Sequence, residues 1–108
     1  MIPLETEFYS KGFCFKLVRR AGFVALYERW RRSCPEKVIH YEVVIITPRK
    51  SYMLAGITIP AREYYPSSEE WGSKGWTYRD EDQARAKFVD LLANEAQREL
   101  PAVATLVR

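Results

Sequence analysis

His40 and Glu42 come nearest to chemistry in this sequence. They stand two apart in a run of branched and aromatic residues, so an extended backbone puts both side chains on one face as an acid/base couple. No nucleophile or anion hole accompanies them, and a strand histidine beside a carboxylate is more often a structural pair. GxGxxG, the Walker loop, HExxH and GxSxG are all missing, so nucleotide, zinc and serine-hydrolase chemistry lack their local geometry. Cys14 and Cys34 lie outside any metal-binding spacing. A hairpin that sets Cys14 opposite Glu28 leaves Cys34 in the loop beyond, which makes a disulfide awkward. Beside Pro35 in a basic loop, Cys34 is either a thiol of lowered pKa or, more commonly, a plain exposed one. These residues lead to a non-enzymatic protein with no metal and no cofactor.

Binding chemistry is better represented. The net charge is +3, unevenly spread: residues 1–50 hold ten Lys/Arg and five acids, a net +5, and residues 51–108 hold seven against nine, a net −2. Arg19, Arg20, Arg49 and Lys50 are expected to converge at one sheet edge, and Arg29, Arg31 and Arg32 at the other. With Tyr52 and Trp30 nearby, such clusters suit phosphates and stacked bases, although charged turns are usually only solvated. Trp30 among Arg29, Arg31 and Arg32 also has the aromatic-plus-arginine makeup of a protein-binding hot spot.

These side chains need a frame. Residues 13–19 alternate at the strand period, a reversal at Arg20-Ala21-Gly22 leads into a second strand over 23–30, and residues 38–47 read as a third, stopped by Pro48. Asp80 caps a helix, with Gln83 completing a capping box, and Ala84, Phe88, Leu91, Leu92, Glu95 and Ala96 follow helical spacing until Pro101. The fold class is α+β: a three-stranded antiparallel meander, extendable to four, against one C-terminal helix. All 108 residues form one domain: sheet over about 12–47, an irregular aromatic segment over 49–79 with a short strand at 57–59, helix over about 80–100, and a tail at 101–108 that frays or adds an edge strand.

On this reading Phe13, Phe15, Leu17, Ala25, Tyr27, Ile39, Tyr41, Val43 and Ile45 face the helix. Lys16, Glu28, His40 and Glu42 face away, with Lys16 pairing across strands to the two glutamates. Val18, Val24, Leu26, Trp30, Val44 and Ile46 join them, which is more apolar than a solvated face requires. Either the segment 49–76 folds back over that face, or it is a partner or homodimer surface.

The run from Tyr64 to Tyr78, YYPSSEEWGSKGWTY, followed by Ala84 and Phe88, resembles small phage- and prophage-encoded proteins, mostly of unknown function, that end in YPSxExWGxxGWTY and a short A-x3-F helix. The likeness covers residues 64–88 well and the strands loosely. It implies a phage or mobile-element origin, where small proteins bind host factors or defence systems. A weaker likeness is to the WGR domain of poly(ADP-ribose) polymerases. Trp71, Gly72 and Gly75 match its motif, but Ser73 replaces the arginine and Lys74 is the nearest cation, which departs from DNA-end contact. As structure, Tyr65, Pro66, Trp71, Gly72, Gly75 and Trp76 form a scaffold in which the tryptophans cap the core beneath the helix and the glycines allow turns.

The expectation is a binding protein, a phage accessory directed at a host protein such as a defence system. The alternative is a nucleic-acid module using Arg19, Arg20, Arg49, Lys50 and Lys74. No apolar run reaches the roughly 18–20 residues that span a bilayer, so the expected setting is the cytoplasm without membrane contact.

Overall fold

A computed structural model describes the backbone of residues 1–99 and the side chains of residues 1–94. Five antiparallel strands form the main sheet in the order β1-β2-β3-β4-β9: β1 Glu7–Ser10, β2 Phe13–Ala21, β3 Val24–Arg31, β4 Val38–Ile45 and β9 Gly75–Tyr78. The α+β class and the meander of β2, β3 and β4 against a helix are as the alternation indicates. β1 joins one edge through the tight Lys11-Gly12 turn, and β9 pairs with β4 at the other. The first hairpin pairs Cys14 with Trp30 rather than Glu28, and Lys16 with Glu28, because the chain reverses at Gly22-Phe23, with Ala21 opposite Val24, and a bulge between Leu17 and Arg19 shifts the register by one.

Helix α1 (Glu81–Glu99) starts where Asp80 Oδ1 accepts from the Asp82 N–H at 2.9 Å. Ala84, Phe88 and Leu91 bury one stripe against Val24, Leu26 and Val43, with Tyr41, Ile45, Trp76 and Leu92 around them. Glu95, Ala96 and the 101–108 tail, with its proposed edge strand, fall outside the described side chains and residues.

The face assignment of the first two strands is overturned. Phe15, Ala25 and Tyr27 lie on the side away from the helix, packed with Phe13 and Leu17 and with Val44 and Ile46, while Val24 and Leu26 lie under the helix. Lys16 and Glu28 pair with each other on the helix side, away from Glu42, since Glu28 is the cross-strand neighbour of Tyr41. The assignment of β4 stands. Both faces are buried, so alternation carried no polar marker to tell them apart.

The second face is closed by Leu4, Phe8 and Tyr65. Phe8 stacks on Phe15 with ring centroids 4.7 Å apart, and the Tyr27 hydroxyl donates to the Glu5 carbonyl at 2.7 Å. The aromatic segment does fold back as one of the two alternatives held, through Tyr65, but the N-terminal strand shares the task. A homodimer through that sheet face is therefore not available without displacing these residues.

Within 47–64 the chain builds two ribbons in place of irregular structure. β5 (Thr47–Arg49) pairs with β8 (Arg62–Tyr64), and beyond them β6 (Tyr52–Leu54) pairs with β7 (Ile57–Ile59), the last being the short strand expected at 57–59. Residues 68–70 form a single 3-10 turn.

Candidate functional site

Strand β4 does place His40 and Glu42 on one face, but arginine separates them chemically. Arg29, opposite His40 in the register, donates from Nη2 to His40 Nδ1 at 2.8 Å and from Nη1 to Glu42 Oε2 at 3.1 Å. Tyr65 donates its hydroxyl to Glu42 Oε1, and Thr77 Oγ1 lies 3.4 Å from Oε2. Burial pushes the Glu42 carboxyl up from its ordinary value, against the pull of Tyr65, Arg29 and Thr77. The His40 imidazole is pushed down by burial and by the charges of Arg29, Arg79 and Arg31. With its Nδ1 lone pair taken by Arg29, His40 makes a poor base toward any substrate on this face. The arrangement is a satisfied polar network set into an aromatic core, which fixes β3 against β4 and Tyr65.

Over this network lies an open cleft of about 480 Å³, walled by Phe8, Tyr65, Pro66 and Trp71 with Lys11 at its rim. Trp71 is not beneath the helix. Its ring stacks on Tyr65 at 6.4 Å on the opposite face, its Nε1 donates to Thr77 Oγ1 at 3.0 Å, and 36% of it stays exposed. Trp76 does meet the helix-side core, with the Lys87 ammonium 4.2 Å from its ring centroid. Gly72, at φ +93°, takes the left-handed turn a glycine suits. Gly75 has a different reason: a Cβ there would lie 2.4 Å from the Trp71 ring. The WGxxG stretch thus folds its own tryptophan over its second glycine.

The basic clusters are scattered rather than assembled. Neighbours in a strand face opposite sides, so Arg19 lies over the Phe88 ring on the helix side while Arg20 turns the other way into a two-pronged pair with Glu63, at 2.7 and 2.6 Å. Lys74 is paired with Glu70 at 3.3 Å. At the other edge Arg29 points inward to Glu42 and stacks on Phe13, Arg32 covers Tyr9, and only Arg31 extends without such a partner among the described contacts. Trp30 is half-buried with its indole N–H turned away from solvent, which does not make the open anchor its composition suggested. Cys34 Sγ donates to Glu36 at 3.3 Å, and this bond raises the thiol's pKa instead of lowering it. Arg49 and Lys50 remain exposed beside Arg62, with Arg49 and Arg62 both over the Tyr64 ring.

The residues missed from the sequence are those of the β6–β7 arm. Tyr52, Met53, Leu54 and Ile57 are 43%, 64%, 59% and 64% exposed, and the two strands form a sheet of their own. Cross-strand pairing of Tyr52 with Ile59 and of Leu54 with Ile57 gathers four large apolar side chains on one face and leaves Met53 and Thr58 on the other. Nothing from Ser51 to Ala61 carries a formal charge. The signal available was the two-residue Ala55-Gly56 turn between apolar triplets. Its positive φ angles, 51° and 79°, fit a tight hairpin, but alanine in the first place hid it.

The root of the arm is strapped to the body. Ile2 donates to the Ala61 carbonyl and accepts from the Glu63 N–H, each at 2.9 Å. Glu63 in turn accepts from the Leu4 N–H at 2.8 Å and from Arg20. The Arg20 guanidinium holds the Glu63 carboxyl down at about 2.

The chain matches no family model, no curated protein and no solved structure. Fold and surface together define a small α+β domain whose most open feature is an uncharged apolar arm on a braced root. Among the described residues no helix is long and apolar enough to cross a membrane.

Proposed function

We propose that this is a non-enzymatic binding protein that works through protein–protein contact, serving as a phage or mobile-element accessory directed at a host factor such as a defence system. One observation carries the contact reading: the arm exposes Tyr52, Met53, Leu54 and Ile57 with no charge between Ser51 and Ala61. An apolar ribbon of this kind costs free energy in water until another surface covers it. The phage origin and the host target rest on the resemblance of residues 64–88 alone. The test is a pull-down from host lysate with the wild-type chain and with Leu54→Asp, each with and without nuclease. A protein captured by wild type after nuclease treatment, and lost with the variant, is the expected result. Capture abolished by nuclease refutes the reading.

A nucleic-acid reading is favoured by one observation, the exposed Arg49 and Lys50 beside Arg62 at the arm's root. Its other residues support it less, since Arg20 and Lys74 are already paired to carboxylates. Anisotropy with labelled duplex and single strands at low salt distinguishes it, and no binding at about 50 µM protein would end it.

A further inference from the structure

The arm narrows its own partner. It must be covered on two sides, since Tyr52, Leu54, Ile57 and Ile59 occupy one face and Met53 the other. Ten consecutive residues, 50–59, include nine in the exposed class. The chain exposes 7579 Å² over 108 residues, about 70 Å² each, so these ten, root residue Lys50 included, present on the order of 700 Å² over both faces together. A stable interface needs about 600–800 Å² from each partner, and a two-fold contact supplies the same patch twice. The arm alone therefore reaches the required size if its partner is another arm.

Charge fits the same arrangement. A two-fold contact brings a surface against itself, so any charge near the axis meets its own copy, and Ser51 to Ala61 contains none. Arg49, Lys50 and Arg62 all sit at the root. Arms laid antiparallel, tip to root, keep the two basic roots at opposite ends, whereas root-to-root alignment would set them together.

The root also offers a receptor. An open cleft of about 660 Å³ lies between the edge strand β1 and the root, walled by Leu4, Phe8, Tyr9, Tyr65 and Pro66, with Glu5 and Glu7 at the β1 side and Arg62 at the arm side. In a tip-to-root pairing this is where the partner's Leu54 and Ile57 arrive. Among the described residues β1 has a neighbour, β2, on only one side, which leaves an edge that can take a strand.

From this geometry we infer that the arm's partner is a second copy of this chain, in a two-fold dimer with antiparallel arms whose tips enter each other's root clefts. The inference rests on the reading of the arm as a protein-contact element and gives that element a second copy as its partner, so that the host factor meets the assembled dimer and Leu54→Asp loses capture by separating the two chains. In the dimer the WGxxG face is presented twice.

Sedimentation equilibrium on the full chain at 1–200 µM tests it, with far-UV circular dichroism and melting curves for every variant. Wild type should approach twice the 12.7 kDa chain mass. Leu54→Asp and Ile57→Asp should each weaken association at least 100-fold while keeping the wild-type far-UV spectrum and cooperative unfolding, since neither side chain belongs to the core, with Tm lowered only by the lost association. Leu4→Asp is left out because Leu4 packs in the second core cluster. Val89→Asp, on the exposed side of α1, should leave association unchanged. A wild-type monomer at 200 µM overturns the inference, as does a dimer that survives Leu54→Asp. A monomer whose arm substitution still abolishes protein capture from lysate removes only the second copy as partner. A monomer whose arm substitution leaves capture intact removes the contact reading as well, and a monomer whose arm substitution instead lowers duplex binding assigns the arm to nucleic acid.

Discussion

Glu63→Gln is the substitution through which the arm's brace can be measured. The side chain is nearly isosteric, and its amide oxygen can still accept from the Leu4 N–H, so the main loss is the charge opposite Arg20. The carboxyl sits at about 2 against an ordinary 4.5, chiefly through its hydrogen bonds from Arg20. At ~1.4 kcal/mol per unit this corresponds to roughly 3 kcal/mol. Glu63 is a tenth exposed and Arg20 a quarter exposed, so water takes up part of the loss and the expected cost is about 2–3 kcal/mol. For a chain of this length that lowers Tm by about 10–20 °C. The sign with pH follows from the depressed value. The folded state binds the proton less readily than the unfolded chain, so the contribution is complete above about 4.5 and is lost as pH falls from 4.5 toward 2. Urea unfolding at pH 7, 4 and 2.5, followed by tryptophan fluorescence, measures both. Wild type should lose stability across that window, and Glu63→Gln should start lower and lose about 2 kcal/mol less over it. A variant within 3 °C of wild type at pH 7, or one with the full wild-type pH slope, would refute the argument.

Two further outcomes are expected. Gly75→Ala drives the Trp71 ring off its seat and breaks the bond to Thr77, costing about 1–2 kcal/mol and shifting tryptophan emission to the red, whereas Ser73→Ala changes emission little. His40 should titrate below 6.5 by NMR because burial and Arg29 disfavour its charged form, so its contribution to stability is lost as pH falls below 6.5. Arg29→Gln should move its midpoint back toward 6.5, and an unmoved midpoint counts against the Arg29 contact.

The strands β2, β3 and β4 and the helix were legible because each is a run of branched and aromatic residues or one helical stripe, marked off by the Gly22 turn or the Asp80 cap, whereas Pro48, read as the stop of the third strand, lies within β5. Which face β2 and β3 turned was not legible. Val24-Ala25-Leu26-Tyr27 is apolar at every position, and all four are buried, two under α1 and two under Phe8 and Tyr65. Only a polar residue breaks that symmetry, and the one available on β4, Glu42, is itself buried among Arg29, Tyr65 and Thr77. A carboxylate read as the mark of a solvated face is instead buried at the floor of an aromatic cleft. The edge strand β1 was missed because Glu7-Phe8-Tyr9-Ser10 has a single half-buried apolar position, and β9 because Gly75 and Thr77 interrupt its pattern.

The candidate site shows what arginines beside aromatic residues do within this fold. Arginines near tryptophan or tyrosine look like a docking surface, yet in a sheet with two buried faces the long guanidinium side chains are drawn onto the rims of the aromatic clusters. Arg29 lies over Phe13, Arg19 over Phe88 and Arg32 over Tyr9, within 4.6–5.3 Å of the ring centroids. Their stems cover apolar surface that a chain of 108 residues has too little backbone to bury otherwise. The arm does the reverse. A two-stranded ribbon is marginal alone in water, and this one lacks the charged fringe that usually protects a free edge. Its order is set by the root, where Ile2, Leu4 and Arg20 converge on Ala61 and Glu63, and its apolar residues are left for a surface outside the fold. On the proposed reading the contact surface is the stretch with the fewest charges and no motif, while the WGxxG motif holds Trp71 over Gly75.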